Sequence, residues 1–290
     1  MSTFDLSLGL EGTNVVVTGG CGLIGRVVVD AFLAAGCKVF VLDFLPTSKD
    51  NQPFQTMMAR HGDELQLIPT DITKEQKFDD AFAKIESENG PVQCCVALAS
   101  LDLSVLPQTE SICDAQSQDW QRVFDVNIHG TFNTARRWLQ GIRKHTSTHP
   151  DQLRNVNLIL MGSESGKFGV RGCAAYAAAK SAVQYGLLQS LAKDAPRIYR
   201  NARVNAVAPG AVDTTRFRNE CQRFGKEWEW EESQATVPMA KSVPAEDVAR
   251  TIVFLASEKW SGTTHGQVLH VDGGKTGSVV WKLGEAEATS

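Results

Sequence analysis

Two side chains that could exchange a proton with a substrate, Tyr176 and Lys180, lie four residues apart in Ala-Ala-Tyr-Ala-Ala-Ala-Lys. Residues at this spacing share one face of an α-helix, so the phenol and the ammonium would be neighbours. A free phenol titrates near pH ~10, and a cation close by favours the phenolate and lowers that pKa. Such a pair could make the tyrosine an acid-base catalyst near neutral pH, but Tyr and Lys also meet by chance on amphipathic helices, so the pair alone is weak evidence.

Two further segments place this pair in a larger pattern. Ser163 follows the apolar run Leu158-Ile159-Leu160-Met161, thirteen residues before Tyr176. Near the start of the chain, Val15-Val16-Val17 runs into the glycine-rich segment from Thr18 to Gly25. A glycine loop between a strand and a helix is typical of sites where backbone N–H groups at a helix N-terminus bind a pyrophosphate.

The composition narrows the class of protein. The chain has 290 residues, 42% of them hydrophobic, and a formal charge of −4. This mild acidity argues against nucleic acid or an anionic membrane as the main partner, and no apolar run reaches the ~18 residues of a spanning helix. The first residues lack the basic start and apolar stretch of a signal peptide. The seven scattered cysteines predict reduced thiols, so we expect a cytoplasmic protein.

The hydrophobic periodicity alternates between two kinds of segment. Apolar runs that predict strands are 13–17, 38–42, 65–68, 92–98, 156–161, 203–207 and 267–271. Stretches with helical spacing are 22–35, 74–88, 120–142, 174–195 and 244–257. Near-continuous apolar strands between helices predict an α/β fold, a doubly wound Rossmann-type seven-stranded parallel sheet with helices on both faces. We expect residues 1–290 to form a single dinucleotide-binding and catalytic domain.

Ligands of such sheets bind beyond the carboxyl ends of the strands, where long loops can form the walls of a site. Two long stretches leave from that edge, 101–118 and the charged segment 215–241. Both are predicted to line the substrate, and we interpret 215–241 as a substrate-loop insertion. Residues 275–290 would form a C-terminal tail that frays at its end.

In their order along the chain these motifs resemble the short-chain dehydrogenase/reductase family, in its compact single-domain branch. The resemblance runs from Leu10 to about Gly274, and it rests on the glycine loop, Asp43, Asp71-Ile72, Asn127, Ser163, Tyr176 with Lys180, Pro209-Gly210 and 270–274. Two segments depart from the pattern of this branch. The glycine loop is spaced TGxxGxxG, with Leu23 at a usual glycine position, and Ala97-Leu98-Ala99-Ser100 replaces Asn-Asn-Ala-Gly.

The resemblance implies a nicotinamide dinucleotide cofactor. Asp43 would accept the ribose hydroxyls of NAD, and it would repel the 2′-phosphate of NADP. Cys21 and Phe44 stand where NADP-binding relatives have a basic residue, so we expect NAD rather than NADP. The implied cofactor-binding residues are Gly19, Gly22, Leu23, Ile24, Asp43, Phe44, Asp71, Ile72, Ala99, Tyr176, Lys180, Pro209, Gly210, Val212 and Thr214.

The family's catalytic roles carry over to four residues. Tyr176 would be the acid-base catalyst, and Lys180 would lower the pKa of its phenol and hold the nicotinamide ribose. Ser163, favoured over Ser165, would hydrogen-bond the substrate oxygen. Asn127 would anchor a water that links Lys180 to solvent. No metal is expected, because His129 and His265 lack ligand spacing with other His, Cys or carboxylates.

These residues predict an NAD(H)-dependent oxidoreductase that interconverts a secondary alcohol and a ketone. Two alternatives remain open: the same fold and cofactor used for a lyase or epimerase reaction, or a cofactor-sensing binding protein without turnover. The partners would be a small-molecule substrate and further copies of the chain, with neither nucleic acid nor membrane. The resemblance implies a homodimer or homotetramer, with interface candidates Phe132, Trp138, Leu187 and Leu191.

Overall fold

Each of the seven apolar runs forms a strand in the computed structural model of the chain, which describes residues 4–44, 52–149 and 153–289. The strands begin and end within a few residues of the predicted bounds. They are β1 (Asn14–Thr18), β2 (Lys38–Asp43), β3 (Leu65–Pro69), β4 (Cys94–Ala97), β5 (Asn157–Met161), β6 (Arg203–Pro209) and β9 (Val268–Val271).

The seven strands form one parallel sheet in the order β3-β2-β1-β4-β5-β6-β9. Every adjacent pair is parallel, and Val16, for example, pairs with Phe40 on one side and Cys95 on the other. The order reverses between β1 and β4, where the two neighbouring crossovers leave the sheet in opposite directions. Such a reversal opens a crevice at the carboxyl ends of the strands. The predicted fold class is confirmed.

Helices cover both faces of the sheet, so its five inner strands are largely buried on both sides and carry few polar residues. Val16 packs with the helices on one face, whereas Val15 and Val17 pack with the helices on the other. The helices are α1 (Leu23–Ala34), α2 (Gln52–His61), α3 (Glu75–Asn89), α4 (Ser117–Phe124), α5 (Thr131–Thr146), α6 (Ser165–Phe168), α7 (Ala174–Ser181), α8 (Leu188–Ile198), α9 (Thr215–Phe224), α10 (Lys226–Ser233), α11 (Ala245–Ala256) and α12 (Glu258–Ser261).

Two helices that the periodicity predicts as continuous each contain a π-helical turn. Asp125–Gly130 joins α4 to α5, and Ala182–Leu187 joins α7 to α8. A π turn widens the helix and shifts its hydrogen-bond register, and such turns are frequent at functional sites. The first of them contains Asn127, and the second begins at Ala182, shortly after Lys180.

One interface candidate is wrong. Trp138 is buried inside its own subunit, where its indole N–H donates to the carbonyl of Val92 at 3.1 Å. Leu191 also packs against the subunit's own core. Phe132 is 45% exposed and remains available for contact with another copy.

The substrate-loop insertion is helical. It contains α9 and α10, and it is flanked by a short parallel pair, β7 (Val212–Asp213) with β8 (Val243–Pro244), that the periodicity does not predict. The tail packs against the insertion: Val280 N donates to Ala235 O at 2.7 Å, and the Trp230 indole N–H donates to Trp281 O at 3.0 Å. Insertion and tail therefore form one wall of the crevice.

Candidate active site

The glycine loop can bind a pyrophosphate because its glycines have no side chains, so backbone segments approach closely there. Gly19 has φ +71°, and a Cβ there would lie 2.7 Å from the backbone of Ala99. A Cβ on Gly25 would overlap the carbonyl oxygen of Gly19. α1 begins at Leu23 after Gly22, and no side chain caps it. The orphan N–H groups of its first turn are therefore suited to phosphate oxygens.

Asp43 ends β2 next to this loop, as predicted, and it also holds the loop. The backbone N–H of Cys21 donates to Asp43 Oδ2 at 2.8 Å. Burial raises the pKa of the Asp43 carboxyl, and hydrogen bonds from Cys21 and Phe44 oppose that rise. Phe44 itself is 75% exposed, so its side chain covers little of the crevice.

The two residues of the Asp71-Ile72 pair differ in exposure, because Asp71 is half-buried and Ile72 is buried. Asp71 Oδ1 accepts hydrogen bonds from the N–H and the hydroxyl of Thr73, at 2.9 and 2.7 Å. The Ile72 side chain is buried against Gly130 of the first π turn. Only the backbone of Ile72 could therefore contact an adenine, whereas the second oxygen of Asp71 could meet its amino group.

The departure Ala97-Leu98-Ala99-Ser100 is compensated from β1. Thr18 Oγ1 accepts hydrogen bonds from the N–H groups of Leu98 at 3.1 Å and Ala99 at 3.2 Å. One hydroxyl therefore supports the end of β4, where the resemblance led us to expect asparagine side chains. Ala99 lies against Gly19, so a small residue is needed at both positions.

Asn127 is buried in the first π turn, and it braces the loop that follows β4. Its Oδ1 accepts from Leu101 N at 2.7 Å, and its Nδ2 donates to Leu101 O at 3.1 Å. Its backbone carbonyl accepts from the hydroxyl of Thr131 at 2.8 Å. A carbonyl oxygen has a second lone pair, so the anchoring of a water would depend on this backbone group rather than on the side-chain amide.

Ser163 is positioned by a residue that the sequence reasoning missed. The Ser163 N–H donates to Gln184 Oε1 at 2.8 Å, and its Oγ accepts from Ser165 N at 3.2 Å. Gln184 is fully buried, one helical turn beyond Lys180. The sequence did contain a signal for Gln184. It is a lone polar residue on the apolar face of a helix, four residues after Lys180 and therefore on the same face.

Tyr176 lies in a small apolar cluster with Leu106, Val123 and Cys173, and it is 6% exposed. Burial raises the pKa of its phenol, and the charge of Asp102 raises it further, while a hydrogen bond with Ser163 opposes the rise. The expectation of a lowered phenol pKa is therefore wrong for this structure, because desolvation of the buried phenolate is the largest cause and raises the pKa.

Lys180 is buried beside the phenol, as the spacing predicts. Its Nζ lies 5.6 Å from the centroid of the Tyr176 ring and donates to the carbonyl of Met161 at 3.0 Å. Burial lowers the pKa of the Lys180 ammonium to about 8, and the charge of Asp102 opposes that shift. The structure therefore brings Ser163, Tyr176 and Lys180 together at the carboxyl edge of β5.

The segment after β6 connects the crevice to the insertion. Pro209 O accepts from Glu164 N at 2.9 Å, and Gly210 N donates to Val271 O at 2.9 Å. Val212 pairs with Val243 in the small sheet. Thr214 Oγ1 caps α9 by accepting from Phe217 N at 3.1 Å, and its hydroxyl hydrogen remains able to donate.

Two charged contacts cross between segments that are distant in sequence, and the motifs predicted neither. Arg216 on α9 donates to the hydroxyl of Ser104, in the loop after β4, at 2.7 Å. Lys275 of the tail donates to Glu164 Oε1, beside Ser163, at 2.6 Å. Among the described residues no hydrogen-bond partner reaches Glu164 Oε2, which is buried. Burial raises the pKa of this carboxyl, and Lys275 opposes the rise.

The described residues contain neither a metal-binding cluster nor a membrane-spanning helix. Within residues 4–44, 52–149 and 153–289, no group of three His, Cys, Asp or Glu side chains could hold a metal ion. His265 instead accepts from Val204 N at 3.1 Å, a structural contact. In the same part of the chain no helix is long and apolar enough to cross a membrane.

Comparison with known proteins identifies the family. A family model described as enoyl-(acyl carrier protein) reductase matches residues 22–276, which is most of the chain. The protein belongs to the short-chain dehydrogenase/reductase family. Membership makes it an oxidoreductase that acts on alcohol and keto groups.

Similar curated proteins cover nearly the whole chain. The 3-oxoacyl-(acyl-carrier-protein) reductase FabG of Escherichia coli is 28% identical over 269 residues, 92% of this chain and 98% of FabG. The 2-(S)-hydroxypropyl-CoM dehydrogenase 3 of Xanthobacter autotrophicus is also 28% identical, again over 92% of this chain and 98% of its own length.

Solved structures show the same fold at lower sequence identity. A 7α-hydroxysteroid dehydrogenase complexed with NADH and 7-oxo glycochenodeoxycholic acid superposes with a TM-score of 0.79 at 23% identity, over 96% of this chain and 100% of the other. A putative gluconate dehydrogenase from Agrobacterium tumefaciens gives 0.77 at 20% identity, over 93% and 98%.

Proposed function

We propose that the protein is an NAD(H)-dependent oxidoreductase that interconverts a secondary alcohol and a ketone, with Tyr176 as acid-base catalyst. The carrying observation is that Lys180 Nζ lies 5.6 Å from the centroid of the buried Tyr176 ring, and that Ser163 is close enough to the phenol to oppose the rise of its pKa. The relatives' names support the reaction class, since they describe a reductase of 3-oxoacyl groups and a dehydrogenase of a hydroxypropyl group.

In the direction of reduction, Tyr176 gives its phenolic proton to the carbonyl oxygen of the substrate, and Ser163 donates a hydrogen bond to the same oxygen. Bound NADH would supply the hydride. Because burial raises the pKa of Tyr176, the protonated form that donates is the populated one at neutral pH. The Lys180 ammonium then stabilises the phenolate that remains.

Replacement of Tyr176 by Phe tests this assignment. The ring stays in its apolar cluster, so folding and NADH binding should change little, while kcat should fall by roughly 10²–10⁴-fold, the usual contribution of general acid-base catalysis. The assay is NADH formation over secondary alcohols of graded size, run in parallel with ketone reduction. Tyr185→Phe is the matched control, because Tyr185 is 38% exposed on the π turn beyond Lys180. Retention of more than about a tenth of turnover by Tyr176→Phe would contradict the mechanism.

The proposed cofactor is NAD rather than NADP. Asp43 places a carboxylate at the end of β2, and its bond to Cys21 N fixes that carboxylate beside the glycine loop. A 2′-phosphate would meet this negative charge, and the positions in the glycine loop and directly after β2 hold Cys21 and Phe44 rather than a basic residue. Fluorescence titration should give tighter binding of NADH than of NADPH, and Asp43→Asn should narrow the difference. Tighter binding of NADPH by the wild type would overturn the assignment.

We also propose that the protein is a homodimer or homotetramer. Phe132 on α5 is a large apolar side chain that one copy leaves 45% exposed. Light scattering should give a mass of two or four times 31.6 kDa. A monomer mass at micromolar concentration would contradict this part of the proposal.

A further inference from the structure

The loop after β4 holds a carboxylate, Asp102, in a fixed orientation at the entrance to the crevice. Its Oδ1 accepts a hydrogen bond from Ser104 N at 3.0 Å and a second, short one from the Ser104 hydroxyl. The preceding residue, Leu101, is bonded to Asn127 through both its N–H and its carbonyl. Asp102 is exposed to solvent, and the backbone of the residue before it is bonded to Asn127, which is buried.

The nearest cation on the opposite wall is engaged with this loop. Arg216 donates to the Ser104 hydroxyl, which in turn donates to Asp102 Oδ1, so the three groups form a chain across the crevice. Within the described part of the chain, no hydrogen bond reaches Asp102 Oδ2. This oxygen is a hydrogen-bond acceptor, and it could receive a donor from a ligand.

The charge of Asp102 reaches the catalytic groups. It is the largest cause after burial for the raised pKa of Tyr176, and it opposes the lowering of the pKa of Lys180. It also helps to raise the pKa of Glu220 on α9, the other wall, where Arg216 acts in the opposite direction. The charge of Asp102 therefore shifts the pKa of groups on two different walls. An anionic substrate between these walls would be repelled by the same charge.

We propose that Asp102 determines substrate class: it disfavours alcohols with an anionic group near the reacting carbon and accepts a hydrogen bond from neutral, hydroxyl- or amide-bearing alcohols. This inference rests on the proposed function, and it deepens that function. It assigns Arg216 to the wall of the site, where its guanidinium is hydrogen-bonded to the Ser104 hydroxyl. The acceptor at Asp102 Oδ2 suits a donor, and its charge repels a carboxylate.

Two matched pairs of alcohols test the inference: 3-hydroxybutyrate with 3-hydroxybutanamide, and mandelate with mandelamide. Members of a pair differ chiefly in charge, so their ratio of kcat/KM isolates the electrostatic preference. We expect the wild type to favour both amides. Asp102→Asn should reduce this preference in kcat/KM by about five-fold, the effect expected when one partly screened charge is removed. Asparagine keeps an oxygen that can accept from Ser104, so the loop should retain its conformation.

Asp114→Asn is the control, because Asp114 is exposed in the same long loop and lies at the end of a separate 3₁₀ turn (Ile112–Asp114). It should leave the ratio unchanged. If none of the four alcohols is oxidised, the same ratios are measured as inhibition constants against an alcohol that the screen identifies. A preference for the anions, or an unchanged ratio in Asp102→Asn, would overturn the inference while leaving the dehydrogenase assignment intact. Absence of turnover with every alcohol would instead contradict the proposed function itself, and this inference with it.

Discussion

The cofactor side and the substrate side of the crevice are built by different means. On the cofactor side, β1, the glycine loop and β4 approach so closely that Gly19 and Ala99 leave no room for larger residues. On the substrate side, charged side chains span the gap, with Arg216 on Ser104 and Lys275 on Glu164. The cofactor side depends on small residues that let backbone segments approach closely. The substrate side depends on hydrogen bonds and ion pairs between side chains. Substitutions should therefore fail for different reasons on the two sides.

The largest effect is expected from Gly25→Ala on the cofactor side. The added Cβ would overlap the Gly19 carbonyl and lie 2.8 Å from Gly20 Cα, so the loop would have to move. Overpacking against backbone should lower the free energy of unfolding by about 3 kcal/mol and weaken NADH binding at least tenfold. Urea unfolding and NADH fluorescence measure the two effects.

Gly186→Ala is the control for this substitution. Gly186 also lies in a helical segment, but nothing lies within 4 Å of an added Cβ. Alanine there should be neutral or should stabilise the chain by ~0.5–1 kcal/mol. If the two variants behaved alike, close approach would not be what distinguishes the glycine loop.

On the substrate side, the contact with the larger expected effect is the ion pair of Lys275 with Glu164, whose side chains are 16% and 11% exposed. Lys275→Met leaves a buried carboxylate without its cation, and we expect a loss of about 2 kcal/mol in the free energy of unfolding. The loss should be greater at pH 8 than at pH 5.5. Without Lys275 the already raised pKa of Glu164 rises further, so a proton neutralises the carboxyl as the pH falls.

Lys226→Met tests whether burial is the cause. Lys226 pairs with Glu287 of the same tail, but these side chains are 81% and 61% exposed, and such pairs contribute ~0.5 kcal/mol or less. Glu164→Gln combined with Lys275→Met should remove the difference between pH 8 and pH 5.5 in the loss of unfolding free energy, because glutamine does not titrate. A Lys275→Met variant as stable as Lys226→Met at pH 8 would show that this junction contributes no more than a surface contact.

The same contrast explains how much the sequence could predict. The strands, the glycine loop and the Tyr176–Lys180 pair follow from periodicity, short spacing and the family's ordered motifs, and the structure places Ser163 beside that pair. The ion pair between Glu164 and Lys275 joins residues 111 positions apart. No local pattern encodes such a pairing, because it depends on how the insertion and the tail pack.

The sequence also could not predict the direction of the Tyr176 pKa shift or the helical register beyond the π turns. The spacing of Tyr176 and Lys180 correctly places them together, but burial rather than the cation decides the direction of the phenol's pKa shift. The family resemblance makes Trp138 an interface candidate, yet its indole N–H donates to Val92 O inside the subunit. The π turns shift the helical register by their extra residue, so a strict 3.6-residue period cannot assign faces beyond them.

The smallest effect concerns the contact between Arg216 and Ser104, which joins the two walls at an exposed site. A double-mutant cycle of Arg216→Gln and Ser104→Ala should give a coupling of about 0.5 kcal/mol in the free energy of unfolding, since water competes for an exposed hydrogen bond. Arg218 serves as the reference, because it lies on the same helix but bonds Asp213 at 3.1 Å. Arg218→Gln combined with Ser104→Ala should show no coupling. Equal coupling in the two cycles would mean that Ser104 senses the charge of α9 in general, and the bridge across the crevice would not be specific to Arg216.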